Sequence, residues 1–186
     1  MHYIITDTPS ESQSHLDEKF EVLRQIEPEV ESLMENHKQK RRLWMPSEFL
    51  PAGEDADEEQ RKLHAELPER ARSVSDPARV AVALNLLTEE GLPHFHRILA
   101  TTLGTDNIWN RWNFLWTAEE DRHGNVLRDY VRDARLFNFA EIESMQYDYQ
   151  EAGFTPGWDR DPFKVFVYTT LQERATQISH QNTGLH

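Results

Sequence analysis

Trp116-Thr-Ala-Glu-Glu-Asp-Arg-His-Gly-Asn-Val-Leu127 is the stretch on which the fold turns. Read as a helix with its flanks, it puts Trp109, Trp112, Trp116, Leu127 and Tyr130 on one apolar face. The positions that continue this face across the gap between Trp116 and Leu127 are Glu120 and His123. A carboxylate and an imidazole, three residues apart, therefore stand on the core side of the helix. A lone Glu-x-x-His on a helix is ordinarily a solvated pair, but solvated faces do not carry tryptophan at every turn. Burying an unpaired carboxylate is costly, so this pair requires a partner in the core. A Glu-x-x-His pair aimed into a bundle is how di-iron and di-manganese carboxylate proteins build their sites. Glu119 is one position off the stripe and points away from the Trp face, although four-residue spacing brings it within reach of His123.

Composition narrows the chemistry. The chain has 186 residues, enough for one domain with a core. It has no cysteine, which excludes disulfides, thiolate metal sites, iron–sulfur clusters and cysteine nucleophiles. Any metal must be held by His and carboxylate, which favours iron, manganese or zinc. The formal net charge of −13 excludes nucleic acid as a partner, since that binding runs on phosphate neutralisation. There is no run of 18 apolar residues to cross a membrane. The first residues carry no secretory or transit pattern, so the expected compartment is the cytoplasm. Few glycines and scarce alternating patterns predict an all-α chain.

The remaining segments are read outward from that helix. Residues 1–14 are polar and are expected to be a loose lead-in to a single domain over 15–186. Leu16, Phe20, Leu23, Val30, Leu33 and His37 follow a helical pattern that Pro28 kinks or splits in two. It ends in His37-Lys-Gln-Lys-Arg-Arg42, the one dense basic cluster, which suits a helix C-terminus. Trp44-Met-Pro-Ser-Glu-Phe-Leu-Pro51, bracketed by prolines, predicts an extended, ordered loop. A charged helix over about 58–72 turns Leu63 and Leu67 inward. Asp76-Pro77 opens the next helix, cap then proline. Its stretch from Val80 to Leu87 is apolar nearly all round and predicts a fully buried helix. Of Glu89 and Glu90, periodicity leans to Glu89 as the inward residue. Pro93 is expected to kink this helix and free a backbone carbonyl beside the site. The Trp helix runs from Gly104-Thr-Asp106 to about Ala134. A helix over about 139–152 follows, with Ile142, Met145 and Tyr149 as its inner face. Asp161-Pro162 opens the last helix. It carries Phe166, Thr169, Thr170, Glu173, Thr176, Gln177 and His180 on one side, so Glu173 is more than a surface partner of Arg174.

Glu89, Glu120 with His123, and Glu173 are thus offered by three helices. Carboxylate-rich ligation with few histidines suits iron. The ligands act as ionised Glu and neutral His, so affinity for a metal should fall in acid.

Four segments, in order, carry a family resemblance: Trp44–Pro51, Thr88-Glu-Glu-Gly-Leu-Pro93, Trp116–Gly124 and Gln172-Glu-Arg-Ala-Thr-Gln-Ile-Ser-His-Gln-Asn-Thr183. Across roughly residues 16–183 the chain resembles the soluble acyl-acyl-carrier-protein desaturases of plant plastids and actinobacteria. Gly91, His94, Phe95 and Asp121 depart from the pattern without replacing a ligand. The resemblance implies a ferritin-like bundle with two Fe2+ ions. It assigns Glu89 as a terminal ligand of one iron, Glu120 as a bridging ligand, His123 as a terminal ligand of the first iron, and Glu173 as a terminal ligand of the second. It places Thr176 on the oxygen-binding side, as a catalytic residue, and Trp44 on an electron-entry route from ferredoxin. The implied reaction inserts a cis double bond into a fatty acyl chain on acyl carrier protein, with O₂ and two electrons. The family is typically homodimeric.

The family's second Glu-x-x-His would follow His186, so the bundle is expected to be incomplete, with the fourth metal-bearing helix absent and four of six ligands present. A truncated chain is the favoured explanation. His180 lies two turns past Glu173, ~10.5 Å along the axis, too far to serve the same metal. Lys38, Lys40, Arg41 and Arg42 form the one positive patch for docking an acidic carrier protein. Two other readings stand beside the desaturase: another ferritin-like di-iron oxidase, and a metal-deficient helical module that binds or oligomerises without catalysis.

Overall fold

The computed structural model describes residues 13–50, 56–158 and 160–185. Among these residues there is no strand. The chain forms α1 (Gln13–Gln25), α2 (Glu27–Lys40), α3 (Glu58–Ala71), α4 (Asp76–Glu90), α5 (Leu92–Leu103), α6 (Ile108–Asp133), α7 (Phe139–Ala152) and α8 (Pro162–Thr183). This is the all-α bundle expected of a ferritin-like chain. The lead-in up to residue 12 and the acidic connector over 51–55 lie outside the described residues.

Helix α6 is the axis, packing against α2, α3, α4 and α5. Asn107 caps it by accepting from the Asn110 N–H. Helix α8 closes the bundle against α1, α4 and α5. Its cap is Asp161, whose Oδ1 accepts from the N–H groups of Phe163 and Lys164. Pro28 does split the first pattern, into α1 and α2. The predicted kink at Pro93 is a full break, two residues earlier, at Gly91, which ends α4 and opens α5. A Cβ at Gly91 would lie 3.0 Å from the Thr88 carbonyl oxygen and 3.1 Å from the Tyr149 ring, so no larger residue fits this corner unmoved. The carbonyl freed there belongs to Glu90, and it accepts from the Gln150 amide.

Two apolar clusters form the core. One joins Leu23, Met34, Leu99, Leu103, Ile108, Trp109 and Val165 from α1, α2, α5, α6 and α8. The other joins Ala71, Val82, Leu86, Val131, Ala134, Leu136 and Ile142 around α3, α4, the end of α6 and α7. The acidic stretch of α6 lies between them.

Four sequence expectations need correction. Helix α4 is not buried all round: Val82, Asn85 and Leu86 face the core, while Val80 is 68% and Leu84 61% exposed. Uniform apolarity permits burial on every side, but neighbours cover only part of this helix. On α7, Ile142 is buried as expected, but Met145 and Tyr149 are exposed and Gln146 takes the inner position. The Gln146 Oε1 accepts from Arg128, while its buried Nε2 has no partner among the described residues. Leu63 is exposed, because α3 leans chiefly on α6 through Leu67 and Ala71. The loop at Trp44 is not wholly extended: Pro46–Glu48 forms one 3-10 turn in which the Glu48 carboxylate accepts from the Met45 N–H.

Candidate metal centre

The Trp helix does present Glu120 and His123 inward. His123 Nδ1 donates to Glu120 Oε2 at 2.8 Å. Glu89, from the last turn of α4, faces the same pair, with Oε2 3.9 Å from His123 Nδ1. Glu89, Glu120 and His123 each offer a ligand atom within 4.8 Å of the others. Close approach of α4 to α6 makes this possible: a Cβ at Gly124 would stand only 3.8 Å from the Glu89 carbonyl carbon. Glu90 turns elsewhere, toward Arg128.

Glu173 enters the same chamber from α8, outside that 4.8 Å group. Its partner is not Arg174, which bonds Gln177. Trp116 Nε1 donates to Glu173 Oε1 at 3.1 Å, so the tryptophan stripe orients a carboxylate as well as forming a wall. A chamber of about 370 Å³ is lined by Trp44, Glu89, Glu120, His123, Glu173, Thr176 and His180, among others. Thr176 gives its hydroxyl to the carbonyls of Gln172 and Glu173. His180, set aside on spacing to Glu173, donates from Nε2 to Glu89 Oε1 at 2.7 Å. Spacing along one helix could not reveal this contact, because the partner is on another helix.

Charge in the chamber is unbalanced. Burial raises the Glu173 carboxyl above its ordinary pKa, and the negative charges of Glu120 and Glu89 push the same way, against the Trp116 N–H and His123. The hydrogen bond to Glu120 raises the His123 imidazole, opposed by burial and helped by the charges of Glu120 and Glu89. Three carboxylates thus face two imidazoles, His123 and His180, in a partly dry space. Oxygen donors with one nitrogen and no sulfur fit a hard divalent cation, which would offset the repulsion felt by Glu173.

The surrounding residues hold the ligands in place. Trp44 stacks on the His123 ring, centroids 5.8 Å apart and planes 12° apart. Arg122 fixes Trp44 twice, by donating to its carbonyl at 2.8 Å and by standing over its ring. Rather than pointing off the Trp face, Glu119 shares a cavity lining with Trp112 and Trp116. It accepts from His37 at 2.9 Å and from Arg41. This latches the end of α2 to α6 beside the metal-binding pair. Arg41 is therefore turned inward. Lys38 pairs with Glu35 at 2.9 Å, Lys40 is exposed, and the largely exposed Arg42 lies 3.9 Å from Glu48.

A second cavity, about 840 Å³, adjoins the chamber. Its lining is mostly apolar, from Val22, Val30, Trp112, Leu115, Trp116 and Phe166 among others, and also takes in His37, Glu119, Glu120 and Glu173. These two carboxylates line both spaces.

A family profile described as fatty acid desaturase matches residues 18–186. The chain belongs to this family. It is 35% identical over 181 residues to a Mycobacterium tuberculosis protein provisionally named acyl-acyl-carrier-protein desaturase DesA1, covering 88% of this chain and 50% of that protein. It is 38% identical over 188 residues to the chloroplastic acyl-acyl-carrier-protein desaturase 6 of Oryza sativa, covering 94% and 44%. It is 35% identical over 175 residues to a chloroplastic stearoyl-acyl-carrier-protein 9-desaturase of Gossypium hirsutum, covering 89% and 43%. The chain spans half or less of the length of each of these desaturases. No helix among the described residues is long and apolar enough to cross a membrane.

Proposed function

We propose that this desaturase-family chain carries out, or supplies the site for, O₂- and ferredoxin-dependent insertion of a cis double bond into a fatty acyl chain on acyl carrier protein. One observation carries the reading: carboxylates from three helices, with the His123 imidazole among them, line a chamber that shares Glu120 and Glu173 with a Trp-lined apolar cavity. The cavity lies within the usual size range of ligand sites, and its lining suits an alkyl tail. Glu120 and Glu173, shared by both spaces, set the place along the tail where chemistry occurs.

Iron is the proposed metal, held by Glu89, Glu120, His123 and Glu173. When bound, it supplies O₂ reduction and hydrogen abstraction from an unactivated C–H bond. The chain's own residues do the rest. Trp112, Trp116 and Phe166 exclude water and hold the tail beside the carboxylates. The Trp116 N–H fixes the orientation of Glu173. Thr176, one turn beyond Glu173, lines the chamber and is the proposed residue for passing a proton on the oxygen-binding side. Trp44, parallel to His123 and pinned by Arg122, is the proposed route for electrons from ferredoxin. The acidic carrier protein is proposed to dock at Lys38, Lys40 and Arg42, with Arg41 anchoring that corner. The reading carries with it a homodimer and a cytoplasmic setting.

The test is product analysis. Protein loaded with Fe2+ is given reduced ferredoxin, O₂ and stearoyl- or palmitoyl-carrier protein, and the released fatty acids are separated by gas chromatography. A monounsaturated product that Glu120→Ala abolishes is expected. Only saturated acids from iron-loaded protein would contradict the reading. Charge reversal at Arg42 should raise the apparent KM for the carrier-bound substrate and leave iron content unchanged.

A further inference from the structure

The contact between α4 and α8 is polar along two turns. Ser179 Oγ donates to Asn85 Oδ1 at 2.8 Å, and Asn85 Nδ2 donates to Thr183 Oγ1 at 3.3 Å. One turn further along α4, Glu89 meets His180 at 2.7 Å. The two oxygens of Glu89 face different ways: Oε1 toward His180 Nε2, and Oε2 toward His123 Nδ1, 3.9 Å away. The side chain of Glu89 is 10% exposed and that of His180 32%, so water competes little for the first contact. A carboxylate bonded through one oxygen to a fixed N–H cannot rotate freely, and its other oxygen is then aimed. Here it is aimed at the Glu120–His123 pair.

We propose that His180 is a positioning residue for Glu89, holding one carboxylate oxygen so that the other is presented to the metal. The inference rests on the metal reading above and adds a residue outside its ligand set. His180 acts from the neighbouring helix, so it also ties the α8 register, and with it Glu173, to the position of Glu89. Partners of this kind typically set affinity by about 10–100-fold when lost.

The experiment is titration of the full chain with Co2+, followed by its visible absorption. The native chain is expected to bind, and Glu120→Ala to abolish binding. His180→Ala should weaken affinity by about 10–100-fold and alter the absorption bands. His180→Gln, which keeps an N–H donor at similar reach, should recover much of the loss. Asn85→Ala removes hydrogen bonds from the same pair of helices without touching a ligand. It should lower the urea midpoint yet leave Co2+ affinity at the native value. Native affinity and spectrum in His180→Ala would overturn the inference while the metal reading stands, as would equal weakening by Asn85→Ala. Failure of the native chain to bind Co2+ would overturn the metal reading and this inference with it.

Discussion

The two ends of α6 face opposite packing problems. At its C-terminal end, Val131 and Ala134 are sealed among Leu86, Ala71, Leu136 and Ile142, with Leu86 and Val131 fully buried. At its N-terminal end Trp109 is buried, but Trp112 and Trp116 stand half-buried around the 840 Å³ cavity. Small aliphatic side chains interdigitate and leave no gap, whereas large rings supported on one side define a space. One helix thus has a closed end that holds the fold and an open end that holds room for a ligand. The acidic residues sit at the boundary.

Truncation at the closed end should do the most damage. Leu86→Ala leaves a cavity among fully packed neighbours and should cost about 2–5 kcal/mol, read from urea unfolding. Co2+ affinity of the folded fraction should be unchanged. Trp112→Ala removes a larger side chain, but one whose cavity face has no packing partner to lose. It should cost less than Leu86→Ala, and about 2 kcal/mol or less, while weakening binding of a fluorescent long-chain fatty acid. A greater cost for Trp112→Ala would show that the open end is a packed core after all.

Next comes the acid response of the open end. Asp161 is buried and accepts from Lys19 at 2.8 Å. Burial alone would raise its carboxyl, but the Lys19 ammonium and the N–H groups of Lys164 and Phe163 outweigh it and hold the pKa below the ordinary value. The folded pKa is lowered, so the stabilisation is fully present above the unfolded carboxylate pKa and fades as pH falls through the folded value. The stability gap between the native chain and Asp161→Asn should therefore be widest near neutrality and narrow in acid. A gap independent of pH would refute this assignment. The smallest effect is expected at the solvated cap of α3, beside the closed end. There Asp57 accepts from the Gln60 N–H at 2.8 Å, and Asp57→Ala should cost about 1 kcal/mol with no change in ligand or Co2+ binding.

The same contrast explains what could be read from the residues alone. The helices were legible because caps and prolines announce them: Asp161-Pro162 opens α8 as cap then proline, whereas at α4 Asp76 is already the first helical residue and Ser75 is the cap. Glu120 and His123 were legible because their helix also carries the Trp stripe, so periodicity gives their direction. Coverage was not legible. Val80 and Leu84 look like core, and only the placement of neighbouring helices leaves them bare. Contacts between helices were also hidden. Spacing along one helix relates His180 only to Glu173, while its partner, Glu89, is 91 residues away in sequence. Arg41, read with Lys38, Lys40 and Arg42 as a positive docking patch, is bound to Glu119 across 78 residues of sequence.

Glu89, Glu120 and His123, with Glu173 beside them, are proposed as one metal-binding centre that adjoins the apolar cavity through Glu120 and Glu173. Anomalous diffraction at the iron edge, from crystals of the full chain soaked anaerobically in Fe2+, tests it most directly. The account predicts a peak at bonding distance from the carboxylates of Glu89 and Glu120 and from the His123 ring, on the side facing Glu173. No peak there, or iron only at surface pairs such as His64 with Asp133, would contradict it.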